Sequence, residues 1–316
     1  MNIRNVTVIG GSGFLGRHLA RILAERGIAV RIPTRFRERA KRGLIILPTV
    51  EVVEANVHAN ADLEKMIAGA DAVISLAGIL HESHRGDFER AHVELPRRVA
   101  ETCKRAGVGR LIHVSALAAD ARGPSRYLRS KGEGEAAVRD AAANGPAVTL
   151  FRPSVIFGLG DSFLTLFARL LACMPVVILG SPHARFQPVW VEDVARALAQ
   201  ALDQRDSFGQ TYELCGPTVY TLRELIDLTG KVTGHPRPVI ALGPRLSYLQ
   251  ALVMEVLPWP LLTRDNVRSM RVDNVCSCAW PELFGFAPAA LEAVLPTYLE
   301  GGPRSHYGIF RARAGR

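Results

Sequence analysis

The chain has little with which to grip nucleic acid, hold a metal or cross a membrane. Aromatic residues are only 7% of its 316 positions. The basic clusters Arg35 to Arg42 and Arg311 to Arg316 are not interleaved with the aromatics on which bases stack. The net charge of +9 is therefore read as favouring an anionic ligand or surface, with no nucleic-acid partner. The five cysteines (Cys103, Cys173, Cys215, Cys276 and Cys278) are odd in number and irregular in spacing, which suggests reduced thiols in a cytoplasmic compartment. Cys276-Ser277-Cys278 lacks the second pair that a zinc site needs, and His81 and His84 lack a third ligand, so no metal is expected. The first strand begins almost at Met1, leaving no room for a targeting segment. With 48% apolar and 22% charged residues, the composition is that of a soluble globular protein.

What is present begins with Gly10-Gly11-Ser12-Gly13-Phe14-Leu15-Gly16. The run follows an apolar strand pattern, Val6 to Ile9, and opens a helical one through Leu15, Leu19, Ile22 and Leu23. Strand, glycine turn and helix form the context of a dinucleotide fingerprint. One glycine makes the turn, another admits a pyrophosphate, and Gly16 lets helix and strand pack closely. The free N–H groups and positive dipole end of the helix would hold the phosphates.

The second strand, Ile28 to Pro33, ends where an NAD site usually places a carboxylate. No acidic residue stands between Glu25 and Glu38; Thr34-Arg35-Phe36-Arg37 is there instead. A guanidinium pairs well with a 2′-phosphate, so NADP(H) is preferred over NAD(H). Further strands are expected at Val50 to Glu54, Asp71 to Leu76, Arg110 to Ser115 and Ala147 to Arg152, with helices at Ala61 to Ala68, Phe88 to Ala106 and Ser125 to Ala143. Alternation at this spacing predicts an α/β, Rossmann-type, doubly wound parallel sheet with ligands at the carboxyl ends of its strands.

That rim carries Ser115 at a strand end, with Tyr127 and Lys131 four residues apart on the next helix. A lysine ammonium beside the phenol, together with the positive oxidised nicotinamide, would favour the phenolate, and the tyrosine could then exchange a proton with an alcohol or carbonyl as hydride moves. Ser115 could hold the same substrate oxygen.

The glycine run, Ser115, Tyr127-Leu128-Arg129-Ser130-Lys131 and Arg152-Pro153-Ser154-Val155-Ile156-Phe157-Gly158 resemble the extended or atypical short-chain dehydrogenase/reductase superfamily. Ile32-Pro33-Thr34-Arg35 and Leu262-Thr263-Arg264-Asp265-Asn266-Val267 are similar to the branch that holds the nucleotide-binding accessory subunit of respiratory complex I and its bacterial relatives. The resemblance implies NADP(H), with Gly10, Ser12, Gly13, Phe14 and Leu15 at the pyrophosphate and Arg35 at the 2′-phosphate. It implies Asn56 and Val57 at the adenine, Leu76, Ala77 and Gly78 on the ribose side, and Tyr127, Lys131 and Pro153 along the nicotinamide. The adenine position is often Asp in the superfamily; here it is Asn56. The implied organisation is a dinucleotide-binding domain over 1–157, rejoined by about 186–215, and a smaller C-terminal α/β lid domain from 158–185 and 216–316.

Nothing in the second half identifies a small-molecule substrate. Leu246, Leu249, Leu252, Val253, Val256 and Leu257 fall on one helical face, too short to span a bilayer. The favoured reading is core of the lid domain. The sharper one is a docking surface over 245–260 for a membrane or protein complex, aided by Trp259, which would make the protein peripheral at a cytoplasmic membrane face. Three activities stand open: an NADP(H) oxidoreductase, a non-catalytic NADPH-binding accessory or assembly protein of a membrane respiratory complex, and a nucleotide-sugar epimerase or dehydratase.

Overall fold

The computed structural model describes residues 3–41, 43–255 and 262–299. It divides into two compact units: Met1–Pro153 with Val191–Leu214 and Cys276–Phe286, and Ser154–Trp190 with Cys215–Val275 and Ala287–Arg316.

The first unit is a seven-stranded parallel sheet. Its strands are β1 (Asn5–Ile9), β2 (Ala29–Thr34), β3 (Val50–Glu54), β4 (Ala72–Ser75), β5 (Arg110–Val114), β6 (Ala147–Pro153) and a last strand, Thr211–Leu214. The order runs Thr211–Leu214, β6, β5, β4, β1, β2, β3. The sequence steps from β1 outward to β2 and β3, then returns past β1 to β4. That reversal between β1 and β4 is the switch point at which such sheets bind ligands. β4 and β5 are buried along their whole length, as both faces carry helices.

The helices of this unit are α1 (Phe14–Glu25), α2 (Arg37–Lys41), α3 (Asn60–Ile67), α4 (Leu95–Arg105), α5 (Arg126–Ala141) and, later in the chain, Val191–Ala201. Leu95, Val99, Ala100 and Cys103 of α4 join Leu63, Ile67, Ile9, Val73, Leu111 and Val138 in one core. α5 starts where it does because Ser125 caps it, its side chain accepting from Leu128 N–H at 3.1 Å. The single helix expected from Phe88 is interrupted. Glu89–Glu94 forms a π-helical turn before α4. Pro96, in the first turn of α4, has no N–H to offer the carbonyl of His92 four residues back. A β-carbon at Gly134 would stand 1.9 Å from that same carbonyl oxygen, so the glycine lets α5 press directly onto the π turn.

The second unit has its own core, in which Phe157, Leu164, Leu171, Phe186, Leu225, Ile226 and Leu295 are buried together. Its regular elements include helices Leu164–Cys173, Leu222–Val232, Pro244–Met254, Arg264–Ser269 and Leu291–Leu299, with two-residue and three-residue strand pairs. Helix Pro244–Met254 corrects the core reading of the leucine stripe. Ser247 and Ala251 are the residues it buries, while Leu246, Leu249, Leu252 and Val253 are exposed. Val256, Leu257 and Trp259 lie outside the described residues. The all-reduced expectation for the cysteines is also overturned: Cys215 and Cys276 are disulfide-bonded, and Cys103, Cys173 and Cys278 are free. Among the described residues no helix is long and apolar enough to cross a membrane.

Candidate functional site

The glycine turn leaves β1 at the switch point. Gly10 has φ +81°, in the left-handed region, and a β-carbon there would meet Ala77 N at 2.9 Å. The turn is thus seated directly against the chain leaving β4. A β-carbon at Gly16 would lie 2.4 Å from Gly11 Cα, so α1 packs on the turn at a distance only glycine allows. Gly13 is the N-cap of α1 and supplies no side-chain cap. The first-turn N–H groups, from Phe14 onward, have no intrahelical acceptor and face the rim. Backbone at closest approach plus an uncapped helix N-terminus is a cradle for a phosphate.

Beyond β2, Arg35 is exposed, its Cζ 5.7 Å from the Phe36 ring centroid. Its charge faces His58 beyond β3: burial lowers the His58 pKa first, and Arg35 and then Arg98 lower it further. Arg37 is tied to β3 through its Nε, 3.1 Å from the Val52 carbonyl. Lys41 pairs with Glu38 at 2.9 Å. Arg35 has no such tie among the described residues and stands directly after the end of β2. Asn56 is more committed than its sequence suggests. Its N–H donates to Asp62 Oδ2 at 2.7 Å, and its Oδ1 accepts from His58 N–H at 3.1 Å. Val57 is half-buried and packs against the core of the first unit.

The chain leaving β4 passes through Leu76, Ala77 and Gly78. A β-carbon at Gly78 would lie 3.2 Å from Lys131 Nζ and 3.5 Å from His92 Nε2, so three elements converge there. His92 was absent from the sequence reading; its only sequence signal is the proline four residues on. Its Nε2 accepts from Ile79 N–H at 3.0 Å, and its Nδ1 lies 2.8 Å from Ser130 Oγ. Ser130 Oγ donates to the Tyr127 carbonyl at 2.9 Å. This chain of donors fixes a neutral ring with its proton on Nδ1. Burial, the Lys131 charge and His113 push the imidazole down to about 3, consistent with that form. His113 on β5 is also driven to about 3, by burial and then Lys131.

Ser115 follows β5 and is held by two bonds that extend the β5–β6 pairing, Ser115 N–H to the Phe151 carbonyl at 2.7 Å and Leu117 N–H to the Pro153 carbonyl at 3.0 Å. Its buried Oγ has no partner among the described residues, and neither has that of Ser75. Tyr127, half-buried in the first turn of α5, packs edge-on against Phe88 and His92 with centroids 5.9 and 5.6 Å away. One turn further on, Lys131 is buried. Burial lowers its pKa to about 8, against the opposing pull of Glu135. Glu135 is itself held by Arg152 in a two-pronged pair at 2.8 and 2.6 Å. Burial raises the Tyr127 pKa to about 12, which favours the phenol at neutral pH.

The fold and this rim define a dinucleotide-binding protein of the Rossmann class, with a buried lysine, a phenol and an unpartnered serine hydroxyl at the strand ends. Residues 6–215 match the NAD dependent epimerase/dehydratase family, and the chain belongs to that family. It is 33% identical over 298 residues to the mitochondrial NADH dehydrogenase (ubiquinone) 1 alpha subcomplex subunit 9 of Rattus norvegicus, covering 90% of this chain and 77% of that one. It is 36% identical over 193 residues to the ceramide reductase of Caulobacter vibrioides, covering 61% of this chain and 59% of that one. Its fold is shared with MoeE5, solved in complex with UDP-glucuronic acid and NAD, at a TM-score of 0.73 and 21% identity over 93% of this chain and 97% of that one. Family membership supports nicotinamide-nucleotide binding as a class.

Proposed function

We propose that the protein is an NADP(H)-dependent oxidoreductase of the atypical short-chain type, working on a carbonyl or alcohol carbon of a small molecule. The observation that carries this reading is the convergence at Gly78 of Lys131 and His92, beside a protonated Tyr127. The residues fit a dinucleotide: the Gly10 and Gly16 approaches form a cradle that side chains would fill, and the Ser115 hydroxyl is buried without a partner.

When bound, the nicotinamide supplies or accepts the hydride. The protein does the rest. The backbone N–H groups of Ser12, Phe14 and Leu15 would hold the pyrophosphate, that of Gly13 being spent on the Gly10 carbonyl at 3.0 Å, and Arg35 would take the 2′-phosphate in a charge-assisted pair. Asn56 and Val57 border the adenine, while Leu76, Ala77 and Gly78 carry the ribose past Lys131. The Lys131 ammonium donates to ribose hydroxyls, and Pro153 closes the nicotinamide side. Ser115 Oγ donates to the substrate oxygen and orients it. Tyr127 gives that oxygen its phenolic proton as negative charge develops there, which favours carbonyl reduction at neutral pH. Tyr127→Phe is expected to lower turnover about 10²- to 10⁴-fold while NADPH binding is kept. Unchanged turnover in that variant would remove the tyrosine from the mechanism.

A second reading is favoured by the 33% identity to a complex I subunit: NADPH held as a structural ligand in an accessory or assembly protein of a membrane respiratory complex. The two part on cofactor exchange, since a redox enzyme must release what it has oxidised.

A further inference from the structure

We infer that the face of helix Pro244–Met254 in the second unit docks on the surface of a bilayer that contains anionic lipid. Leu246, Leu249, Leu252 and Val253 are 55, 53, 42 and 64% exposed. At 100° per residue these four, with Arg245, fall within an arc of about 120°. Ser247 and Ala251 lie on the opposite side and are buried. The helix is held from that side. Ser247 Oγ accepts from Ser181 N–H at 3.1 Å, and Gln250 Nε2 donates to the Ile178 carbonyl at 2.9 Å. This seats it beside the strand pair Val177–Leu179 and Val239–Ala241. There Ile178 and Ile240 are direct neighbours in the parallel register, and both are more than half exposed. Six aliphatic side chains are thus turned outward on adjoining elements, an arrangement soluble surfaces seldom leave uncovered.

The chemistry favours a lipid surface over a protein partner. Among the described residues the patch is aliphatic, without the exposed Tyr or Trp anchors that concentrate binding energy in protein interfaces. Tyr248, the aromatic of this helix, is half-buried and accepts from Arg268 Nη2 at 3.3 Å. From Pro244 to Met254 the helix has no acidic residue and one cation, Arg245, at the N-terminal end of the apolar face, where a long basic side chain reaches headgroups. A helix with an aliphatic face and a basic end suits the headgroup–acyl boundary of a bilayer, and the net charge of +9 adds attraction to anionic lipid. This inference is independent of whether the nucleotide site turns over.

The test is flotation of the full chain with vesicles of phosphatidylcholine alone and of phosphatidylcholine with about 30% phosphatidylglycerol, the anionic lipid supplying the attraction. The wild type should float with the mixed vesicles and more weakly with the neutral ones. The combined variant Leu246→Glu, Leu249→Glu and Val253→Glu should lose about tenfold or more in partitioning, with its thermal midpoint and NADPH binding kept. If the triple variant does not fold, Leu249→Glu alone should lose several-fold, roughly the worth of one aliphatic side chain. Failure of the wild type to bind either vesicle would overturn the proposal, as would equal binding by the charged variants. So would a wild-type dimer that the variants dissociate while vesicles bind neither, which would assign the face to a second copy.

Discussion

Each unit holds one local feature that sets it apart from the other. In the first, polar and charged groups are drawn inward: Lys131, His92, His113 and Glu135 are all buried. In the second, aliphatic groups are turned outward along helix Pro244–Met254. Burying a charge is tolerated only when partners or a ligand repay it. Glu135 has its partner in Arg152, whereas burial lowers Lys131 to about 8. Exposing leucine on a helix costs little locally but makes a surface that water prefers covered. On the proposed function the inward polar groups are where chemistry is prepared, and on the docking inference the outward aliphatics are where contact is prepared.

The contrast can be broken at either end. Beyond the loss expected for Tyr127→Phe, the next largest effect should come from Arg35→Ala. It should weaken NADPH binding about 10- to 100-fold, as loss of a charge-assisted phosphate pair does, and leave NADH almost unchanged. Titration of both nucleotides checks this, and equal weakening would remove Arg35 from the 2′-phosphate. A smaller effect should follow pH. Lys131 is charged below about 8, so NADPH affinity should hold below that pH and decline as pH rises through it. Lys131→Met should bind more weakly and show no such decline, and a wild-type affinity flat from neutral to alkaline pH would contradict the assignment. His92 and His113, both near 3, should add no step between pH 5 and 8. The smallest effect belongs to the second unit. Leu249→Ala should change stability by less than about 0.5 kcal/mol, as an exposed position does. A loss of about 2–5 kcal/mol in thermal or denaturant unfolding would restore the core reading of that stripe.

The sheet and the glycine cradle were legible in the sequence because their causes are local. A β4 with four buried apolar-compatible positions and a turn whose glycines must touch neighbouring backbone leave few alternatives. What was not legible depends on neighbours distant in sequence. His92 reaches Ile79 and Ser130 because a π turn and Gly134 bring two helices together; a 3.6-residue count across Phe88 to Ala106 puts it on the buried stripe with Leu95 and Val99 but does not say which groups it meets there. Tyr127 and Lys131 do sit one turn apart, but burial, which raises the phenol's pKa, depends on elements distant in sequence. The leucine stripe was seen correctly as a face; its direction was not, because the small residues Ser247 and Ala251 make the better packing surface.

The central claim is a redox enzyme whose NADP(H) must come and go, and the rate of exchange tests it most directly. Protein loaded with labelled NADPH and chased with excess unlabelled NADPH should exchange its nucleotide within seconds. Retention for hours would contradict the oxidoreductase reading and leave NADPH as a fixed structural ligand.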